Sequence, residues 1–261
     1  MKAEVAIVTG GADGIGWATA RRLVEGFRHV VIADIRPDAA EQRAAELGAA
    51  HAGIGCDVAV EADVVALMKQ VHKRYGRVDA LVNNAGIGDQ PVMTLEQSVE
   101  AFDRILAVHV RGTFLASREA ARIFVRQQSG AIVNISSIVG HGGFPGRNAY
   151  GAAKAGISSM TESMACEWAR DGIRVNAIAP GYVQTDLMMA LVAKGALNLN
   201  DIEARTPVGR TVRPQDIADA IAFLLSERAS SITGVTLPVD CGWLALGAPP
   251  AKLGTVADMR A

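Results

Sequence analysis

The sequence predicts an α/β protein, a parallel sheet with helices packed against it in a single domain, and three observations carry that expectation. Short runs without a polar residue, such as Val5-Ala-Ile-Val8, alternate with segments of helical periodicity. The first run passes straight into the glycine-rich Thr9-Gly-Gly-Ala-Asp-Gly-Ile-Gly16, and a helical pattern follows to about Phe27. The second run, Val30-Val-Ile-Ala33, ends in an acidic residue, Asp34, about twenty residues beyond the glycines.

With 261 residues the chain can bury one large core, and no internal repeat, linker or second domain interrupts it. Lys plus Arg (26) nearly balances Asp plus Glu (27), so the formal charge of -1 gives no electrostatic reason to expect nucleic acid or an anionic membrane as partner. The three cysteines, Cys56, Cys166 and Cys241, are widely spaced without a metal-ligand pattern, which reads as reduced thiols in a cytoplasmic protein that holds no metal. An apolar strand begins within a few residues of the start, leaving no room for a signal peptide, and no apolar stretch is long enough to span a bilayer. A soluble, cytoplasmic protein is expected.

Strand, glycine turn and helix are the parts of a phosphate-binding βα unit. Glycines let the backbone approach a pyrophosphate, and the helix N-terminus adds free N–H groups and a partial positive charge. Gly10, Asp13, Gly14, Ile15 and Gly16 are therefore cofactor-binding candidates. The spacing is Gly-x-x-x-Gly-x-Gly rather than Gly-x-Gly-x-x-Gly, so a tight turn without a ligand stands as the alternative. Asp34 is placed to accept hydrogen bonds from adenosine ribose hydroxyls, with Ile35 beside it. A 2′-phosphate there would meet repulsion of roughly 4 kcal/mol per charge pair at contact, which favours NAD over NADP. Arg36 works against that preference if it turns inward and neutralises the phosphate.

A helix from about Pro37 to Leu47 leads to a third strand, His51 to Asp57, in which His51 reads as a surface residue. Asp57 and Val58 close that strand at the edge where an adenine could lie. After a helix over about Glu61 to Tyr75, the fourth strand begins at Ala80 and carries Asn83, Asn84, Ala85 and Gly86 at its carboxyl end, where open α/β sheets bind ligands. A long helix from about Leu95 to Gln127 is expected to bend near Gly112-Thr113. Its outward face, with that of the helix holding Tyr150, is a candidate dimer surface. Ala131 to Ser136 and Ile173 to Ala179 are the fifth and sixth strands, the latter ending in Pro180-Gly181.

Residues 185–212 carry Leu187, Met188, Met189, Leu191, Leu197 and Leu199 without a partner strand. A mobile apolar lid and a pair of short core helices are both open readings. Pro214 starts a helix to about Ser226, at the position where proline is tolerated. Val235 to Val239 makes a seventh strand, and Gly, Ala and Pro dominate from Leu244 onward. The organisation is one catalytic domain, residues 1–243, and a tail, residues 244–261.

The chemistry gathers at Ser137, Tyr150 and Lys154. Tyr150 and Lys154 stand four apart in a helical stretch, so both side chains share a face. Lowering a phenol from about 10 by about three units requires roughly 4 kcal/mol of phenolate stabilisation. One cation at roughly 4 Å supplies that much at an effective dielectric near 20. Ser137, at the end of the fifth strand, can hydrogen-bond the substrate oxygen that Tyr150 protonates or deprotonates. Taken alone, a Tyr-x-x-x-Lys spacing also describes an ordinary surface pair.

Together, Thr9-Gly-Gly-Ala-Asp-Gly-Ile-Gly16, Asp57-Val58, Asn83-Asn-Ala-Gly86, Ser137, Tyr150-x-x-x-Lys154, Pro180-Gly181 and the ending Thr233-Gly234 through Val239-Asp240 resemble the short-chain dehydrogenase/reductase family from about Val5 to Trp243. The resemblance implies a Rossmann-type, doubly wound, seven-stranded parallel sheet in the order 3-2-1-4-5-6-7, assembled as a homotetramer or homodimer. It implies that Tyr150 is the general acid/base, that Lys154 holds the nicotinamide ribose and depresses the tyrosine pKa, and that Thr185 with Val183 contacts the carboxamide. NADP-preferring relatives often carry a basic residue just before the second loop glycine; here it is Asp13, which together with Asp34 favours NAD.

Two positions depart from the family pattern. His109, in Val108-His-Val-Arg-Gly112, stands where the family usually has a catalytic asparagine whose main-chain carbonyl anchors a relay water. Histidine owns that carbonyl too, so His109 is expected to keep the relay, with an altered pH dependence. Cys241 stands where a glycine is usual.

The expected function is an NAD-dependent oxidoreductase acting on a secondary alcohol or ketone. Its substrate would be shaped by residues 139–144, the loop after Gly86 and residues 187–199, with Phe144, Met188 and Met189 apolar and Gln90, His141 and Gln184 available to hydroxyls or simply solvated. A 3-oxoacyl thioester reductase is the rival enzyme, and a catalytically silent nucleotide sensor the rival of another class.

Overall fold

The computed structural model describes residues 4–88 and 91–247. In chain order the elements are β1 (Val5–Thr9), α1 (Gly14–Leu23), β2 (His29–Asp34), α2 (Pro37–Leu47), β3 (Ala52–Gly55), α3 (Glu61–Tyr75), β4 (Ala80–Asn83) and α4 (Val99–Leu106). There follow α5 (Gly112–Gln127), β5 (Gly130–Ile135), α6 (Asn148–Trp168), β6 (Ile173–Pro180), α7 (Asp186–Ala193), α8 (Leu199–Arg205), α9 (Pro214–Leu225) and β7 (Thr236–Val239). The strands form one seven-stranded sheet in the order β3-β2-β1-β4-β5-β6-β7, as expected. Every pairing is parallel.

Both faces of the sheet are covered, which is why the central strands carry almost no polar residue. One apolar layer joins Ala6, Val8, Ile32 and Val82 to Leu23, Ala40, Ile217 and Ile221 of α1, α2 and α9. The other joins Ile7, Val31 and Leu81 to Leu67, Leu115, Phe124 and Met164 of α3, α5 and α6. With all strands parallel, their carboxyl ends share one edge, and the chain leaves β1 for β2 on one side and returns through β4 on the other. That reversal makes a crevice above Thr9 and Asn83.

The expected long helix starts later and is interrupted. Ser98 caps α4 by accepting from the Ala101 amide at 3.2 Å, so residues 95–97 lie outside it. Between α4 and α5 the backbone makes a π-helical turn over Ala107–Arg111, immediately before the Gly112 where a bend is expected. A Cβ on Gly112 would lie 2.9 Å from Val58 Cγ2, so α5 approaches the segment after β3 as closely as its backbone allows. β3 is shorter than expected because His51 sits before it with its ring turned inward. The ring Nδ1 accepts from the Val30 amide at 3.0 Å, so His51 is a half-buried partner of β2, not a surface residue. No helix among the described residues is long and apolar enough to cross a membrane.

Candidate active site

β5 and the segment after it are clasped to the first turns of α6. Lys154 Nζ donates to the Ile135 carbonyl at 2.7 Å, and Ser136 Oγ donates to the Lys154 carbonyl at 2.9 Å. A Cβ on Gly140 would lie 2.9 Å from Ala155 N, so the short 3-10 turn over Ile138–Gly140 presses against α6 directly. Ser137, between these contacts, is buried, and its hydroxyl accepts from the Val139 amide at 3.2 Å while keeping its hydrogen for a second partner. Ser137, Tyr150 and Lys154 are thus brought to one place at the carboxyl edge of the sheet.

The Lys154 nitrogen lies 5.4 Å from the centroid of the Tyr150 ring, on the shared helix face that the four-residue spacing predicts. The expectation of a full ammonium charge at neutral pH needs correction. Burial pushes the Lys154 ammonium down to about 7, because the low-dielectric interior disfavours its charged form. On the outer side Arg147 lies with its guanidinium 5.7 Å from the Tyr150 centroid.

His109 is buried in the π-helical turn and meets Tyr150 edge-on, with ring centroids 5.4 Å apart and planes at 86°. Its Nε2 is within hydrogen-bonding distance of Ile87, 3.3 Å from the amide nitrogen and 3.1 Å from the carbonyl oxygen. Nδ1 has no partner among the described residues. Burial first and the neighbouring Lys154 charge second push the imidazole down to about 3, opposed by the Ile87 contact. The pH dependence expected of His109 near neutrality therefore has no group to carry it, since the ring is neutral throughout that range.

The glycine loop is built as the residue types require. A Cβ on Gly16 would lie 2.1 Å from the Gly10 carbonyl, and one on Gly10, at φ +60, would lie 2.7 Å from Ala85 Cα. Asn84 holds the loop from the other side, its side-chain amide donating to the Thr9 and Gly10 carbonyls at 3.0 and 2.9 Å. Thr9 Oγ1 accepts from the amides of both Asn84 and Ala85 at 3.1 Å, a bracing role that its place at the head of the motif does not reveal.

At the end of β2, Asp34 is buried, its Oδ2 accepting from the Ala12 amide at 3.2 Å and its Oδ1 from the Arg36 amide at 3.1 Å. Beside it Ile35 is 66% exposed, an apolar surface at the rim of the crevice. Asp13 begins α1 without a side-chain cap, and Ile15 is half-buried in the first turn. A dinucleotide fits these residues: uncapped helix amides for a pyrophosphate, glycines where side chains would intrude, and a fixed carboxylate with an apolar neighbour for an adenosine.

Asp57 Oδ1 accepts from the Ala59 amide at 2.9 Å and turns the chain after β3, leaving Val58 packed on Gly112. Pro180 ends β6, and a Cβ on Gly181 would lie 2.9 Å from Asp240 Cα. Val183 bridges to Val212. Thr185 caps α7 by accepting from the Met188 amide at 3.2 Å, and its Cγ2 lies 3.3 Å from where a Cβ on Gly14 would be, so residues 185–212 reach the glycine loop.

In that segment Met188 and Ile202 are buried, while Leu187 and Met189 are exposed. Gln184 Nε2 donates to Thr211 Oγ1 at 2.7 Å, which ties its amide to the protein itself, whereas His141 is exposed. Gln90 and residues 248–261 of the tail lie outside the described residues. Next to Ile87 a cavity of about 450 Å³ opens between the loop after Gly86 and α4, lined by Ile87, Gly88, Val92, Ser98, Arg104 and Ile105 among others.

The family profile described as enoyl-(acyl carrier protein) reductase matches residues 10–244. The chain is 42% identical over 245 residues to cis-4-hydroxycyclohexanecarboxylate dehydrogenase of Sinomonas cyclohexanicum, covering 93% of this chain and 97% of that protein. It is also 42% identical over 246 residues to an uncharacterized short-chain type dehydrogenase/reductase of Sinorhizobium fredii, covering 94% of this chain; the chain spans only 44% of that relative's length. The crystal structure of 3-ketoacyl-(acyl-carrier-protein) reductase from Brucella melitensis, complexed with NADH, is similar with a TM-score of 0.86 at 36% identity, over 92% of this chain and 98% of that one.

Proposed function

The chain belongs to the short-chain dehydrogenase/reductase family, and from that premise we propose that it is an NAD-dependent oxidoreductase acting on a secondary alcohol or ketone. The observation that carries this reading is the clasp of Ile135–Gly140 on α6, which sets Ser137, the Tyr150 phenol and the Lys154 amine at the carboxyl edge of the sheet. The uncapped amides of α1 with Gly10, Gly14 and Gly16 would hold the pyrophosphate, Asp34 and Ile35 the adenosine, Asp57 and Val58 the adenine edge, and Lys154 with residues 180–185 the nicotinamide end. When bound, the nicotinamide supplies or accepts the hydride.

The chain's own residues handle the proton. In oxidation Tyr150 takes the proton of the alcohol oxygen, and in reduction it returns that proton to the same atom. Lys154, when charged, favours the phenolate, and Ser137 donates to the substrate oxygen and fixes its position. His109 orders Ile87 at the edge of the cavity and carries no charge. The substrate would be a polyol, a sugar or a hydroxy-acid-like compound; a relative named for a hydroxylated ring carboxylate supports the last. Apolar Phe114 and Val125, exposed on α5, support assembly as a homotetramer or homodimer of a cytoplasmic protein.

A 3-oxoacyl thioester reductase is the second reading, favoured by the name of the Brucella melitensis structure; the matched profile shares with it the acyl-carrier-protein thioester but is described for the enoyl group. Titration with NADH and NADPH by nucleotide fluorescence, followed by a panel of polyols, hydroxy acids, steroids, β-ketoesters and 3-oxoacyl thioesters, separates the two. Preference for NADH with turnover of hydroxy compounds is the expected result, and Tyr150→Phe should lower that turnover by about a thousandfold. Turnover confined to thioesters with NADPH selects the second reading, and tight NADH binding with no turnover across the panel selects a silent sensor.

A further inference from the structure

Asp13 occupies the N-cap position of α1 with the extended backbone of a cap, φ -141 and ψ 167, yet its carboxylate caps nothing. Aspartate is among the strongest N-cap residues, and the helix dipole favours a carboxylate at that end. Something must draw the side chain away. Arg36 Nη2 donates to Asp13 Oδ2 at 2.6 Å while its Nε donates to Asp34 Oδ1 at 3.2 Å, so one guanidinium bridges the glycine loop and the end of β2. A second cation, Arg43, is 3.9 Å from Asp13 Oδ1 but is anchored elsewhere. It lies 4.7 Å from the Trp17 ring centroid, donates to the Ala12 carbonyl at 3.1 Å and pairs with Glu46. Arg36 is therefore the cation whose position Asp13 decides.

We propose that the Asp13–Arg36 ion pair is a latch that sets which dinucleotide the protein accepts. It rests on the functional reading above, in which the adenosine ribose lies against Asp34. Asp13 keeps the Arg36 guanidinium engaged, so that it does not serve a 2′-phosphate, and Arg36 keeps the Asp13 carboxylate off the α1 amides that a pyrophosphate needs. Asp13, Asp34 and Arg36 together carry a formal charge of -1. Removing Asp13 leaves zero and a guanidinium still paired through Nε with Asp34 but with its Nη2 released beside the ribose; removing Arg36 leaves -2 and a carboxylate that can fall back onto the helix N-terminus. The latch thus discriminates against NADP at the phosphate and protects NAD binding at the pyrophosphate.

The test measures NADH and NADPH dissociation constants by nucleotide fluorescence for the natural protein, Asp13→Ala, Arg36→Ala and the double variant, which requires no substrate. Asp13→Ala should shift the preference toward NADPH by about fivefold, the size expected when an exposed pair no longer competes for the guanidinium. Asp13→Asn should follow it. Arg36→Ala should weaken NADH binding by about fivefold, and the double variant should recover NADH binding to within about twofold without the gain for NADPH. The latch is overturned if Asp13→Ala and Asp13→Asn leave the NADPH-to-NADH ratio within about twofold of the natural protein, or if the two effects simply add. A natural protein that binds NADPH as tightly as NADH overturns the latch but leaves the dehydrogenase reading standing. One that binds neither nucleotide overturns both.

Discussion

The Lys154 nitrogen lies 5.4 Å from the centre of the Tyr150 ring and donates to the Ile135 carbonyl, and that buried position is costly. Moving its pKa from 10.5 to about 7 corresponds to roughly 5 kcal/mol of preference for the neutral amine on folding. Between about pH 7 and 10.5 the unfolded chain binds a proton that the folded chain does not, so this group makes stability rise with pH there, and its full cost is present below about 7. Lys154→Met should therefore raise stability at pH 6 to 7 by roughly 2 kcal/mol, less than the full amount because the Ile135 carbonyl loses its donor. The gain should vanish toward pH 10 while turnover falls by about a hundredfold or more. Urea unfolding across this pH range checks it, and a Lys154→Met protein less stable than the natural one at pH 6 contradicts it.

His109 gives the opposite end of the pH scale. Its imidazole is held at about 3 against an ordinary 6.5, so the unfolded chain binds the extra proton between those values and stability falls as the pH drops from 6.5 toward 3. His109→Asn should cost about 1 to 2 kcal/mol at pH 7 through lost packing on Tyr150 and Gly86, and this deficit should reverse by pH 4, where the buried neutral ring alone has cost the natural protein roughly 3 kcal/mol. Turnover should stay within about tenfold of the natural protein, with pH-rate profiles of the same shape between pH 5 and 8. A loss of several orders of magnitude, or an acidic limb that disappears only in the variant, would show that the ring itself takes part in proton transfer.

Gly86 explains how that ring is fixed. A Cβ on Gly86 would come 2.6 Å from His109 Cε1 and 3.2 Å from Nδ1, closer than side chains approach one another. The imidazole cannot retreat while its Nε2 is held at Ile87. Gly86→Ala should cost about 2 kcal/mol by overpacking. Added to His109→Asn, whose side chain stops short of that Cε1, the same substitution should cost under about 1 kcal/mol. Equal costs in the two backgrounds, measured by thermal or urea unfolding, would place the strain elsewhere.

The seven strands, the glycine loop, Asp34 and the Ser137–Tyr150–Lys154 trio are readable because each is written in local pattern: apolar runs, glycines after a strand, a four-residue helical spacing. What escapes such a reading depends on main-chain atoms or on partners distant in sequence. The acceptor for Lys154 is a carbonyl 19 residues away, and a carbonyl has no residue type to recognise. Arg36 shows in the sequence as a cation that would favour a 2′-phosphate if turned inward, but its partner Asp13 stands 23 positions earlier and shows only its own charge. The π-helical turn at Ala107–Arg111 leaves the amphipathic rhythm nearly unchanged, so only the Gly112 that follows it hints at a break.

Cys241 resolves a departure for which sequence alone offers no reason. Its φ is +55, in the left-handed region, and Gly242 follows at φ +88, so the turn after β7 requires two such residues in succession. Asp240 holds the turn, its carboxylate accepting from the Gly242 amide at 2.8 Å and from the Leu244 amide at 2.9 Å, and the Cys241 carbonyl accepts from Val208 at 3.2 Å. These bonds over-determine the backbone, so cysteine tolerates a conformation that costs a side-chain-bearing residue about 1 to 2 kcal/mol and glycine almost nothing. Against this, glycine loses more freedom on folding, roughly 0.4 to 1 kcal/mol, and forgoes the thiol's contact with the core layer of α1, α2 and α9. Relief of the left-handed strain should win by a margin, with Cys241→Gly raising stability by about 0.5 kcal/mol and the unfolding midpoint by about 1 to 2 °C. Cys241→Ala, which keeps the strain and drops the thiol, should lower both, and differential scanning calorimetry of the pair separates backbone from packing: if both variants fall together, the thiol's packing decides the site.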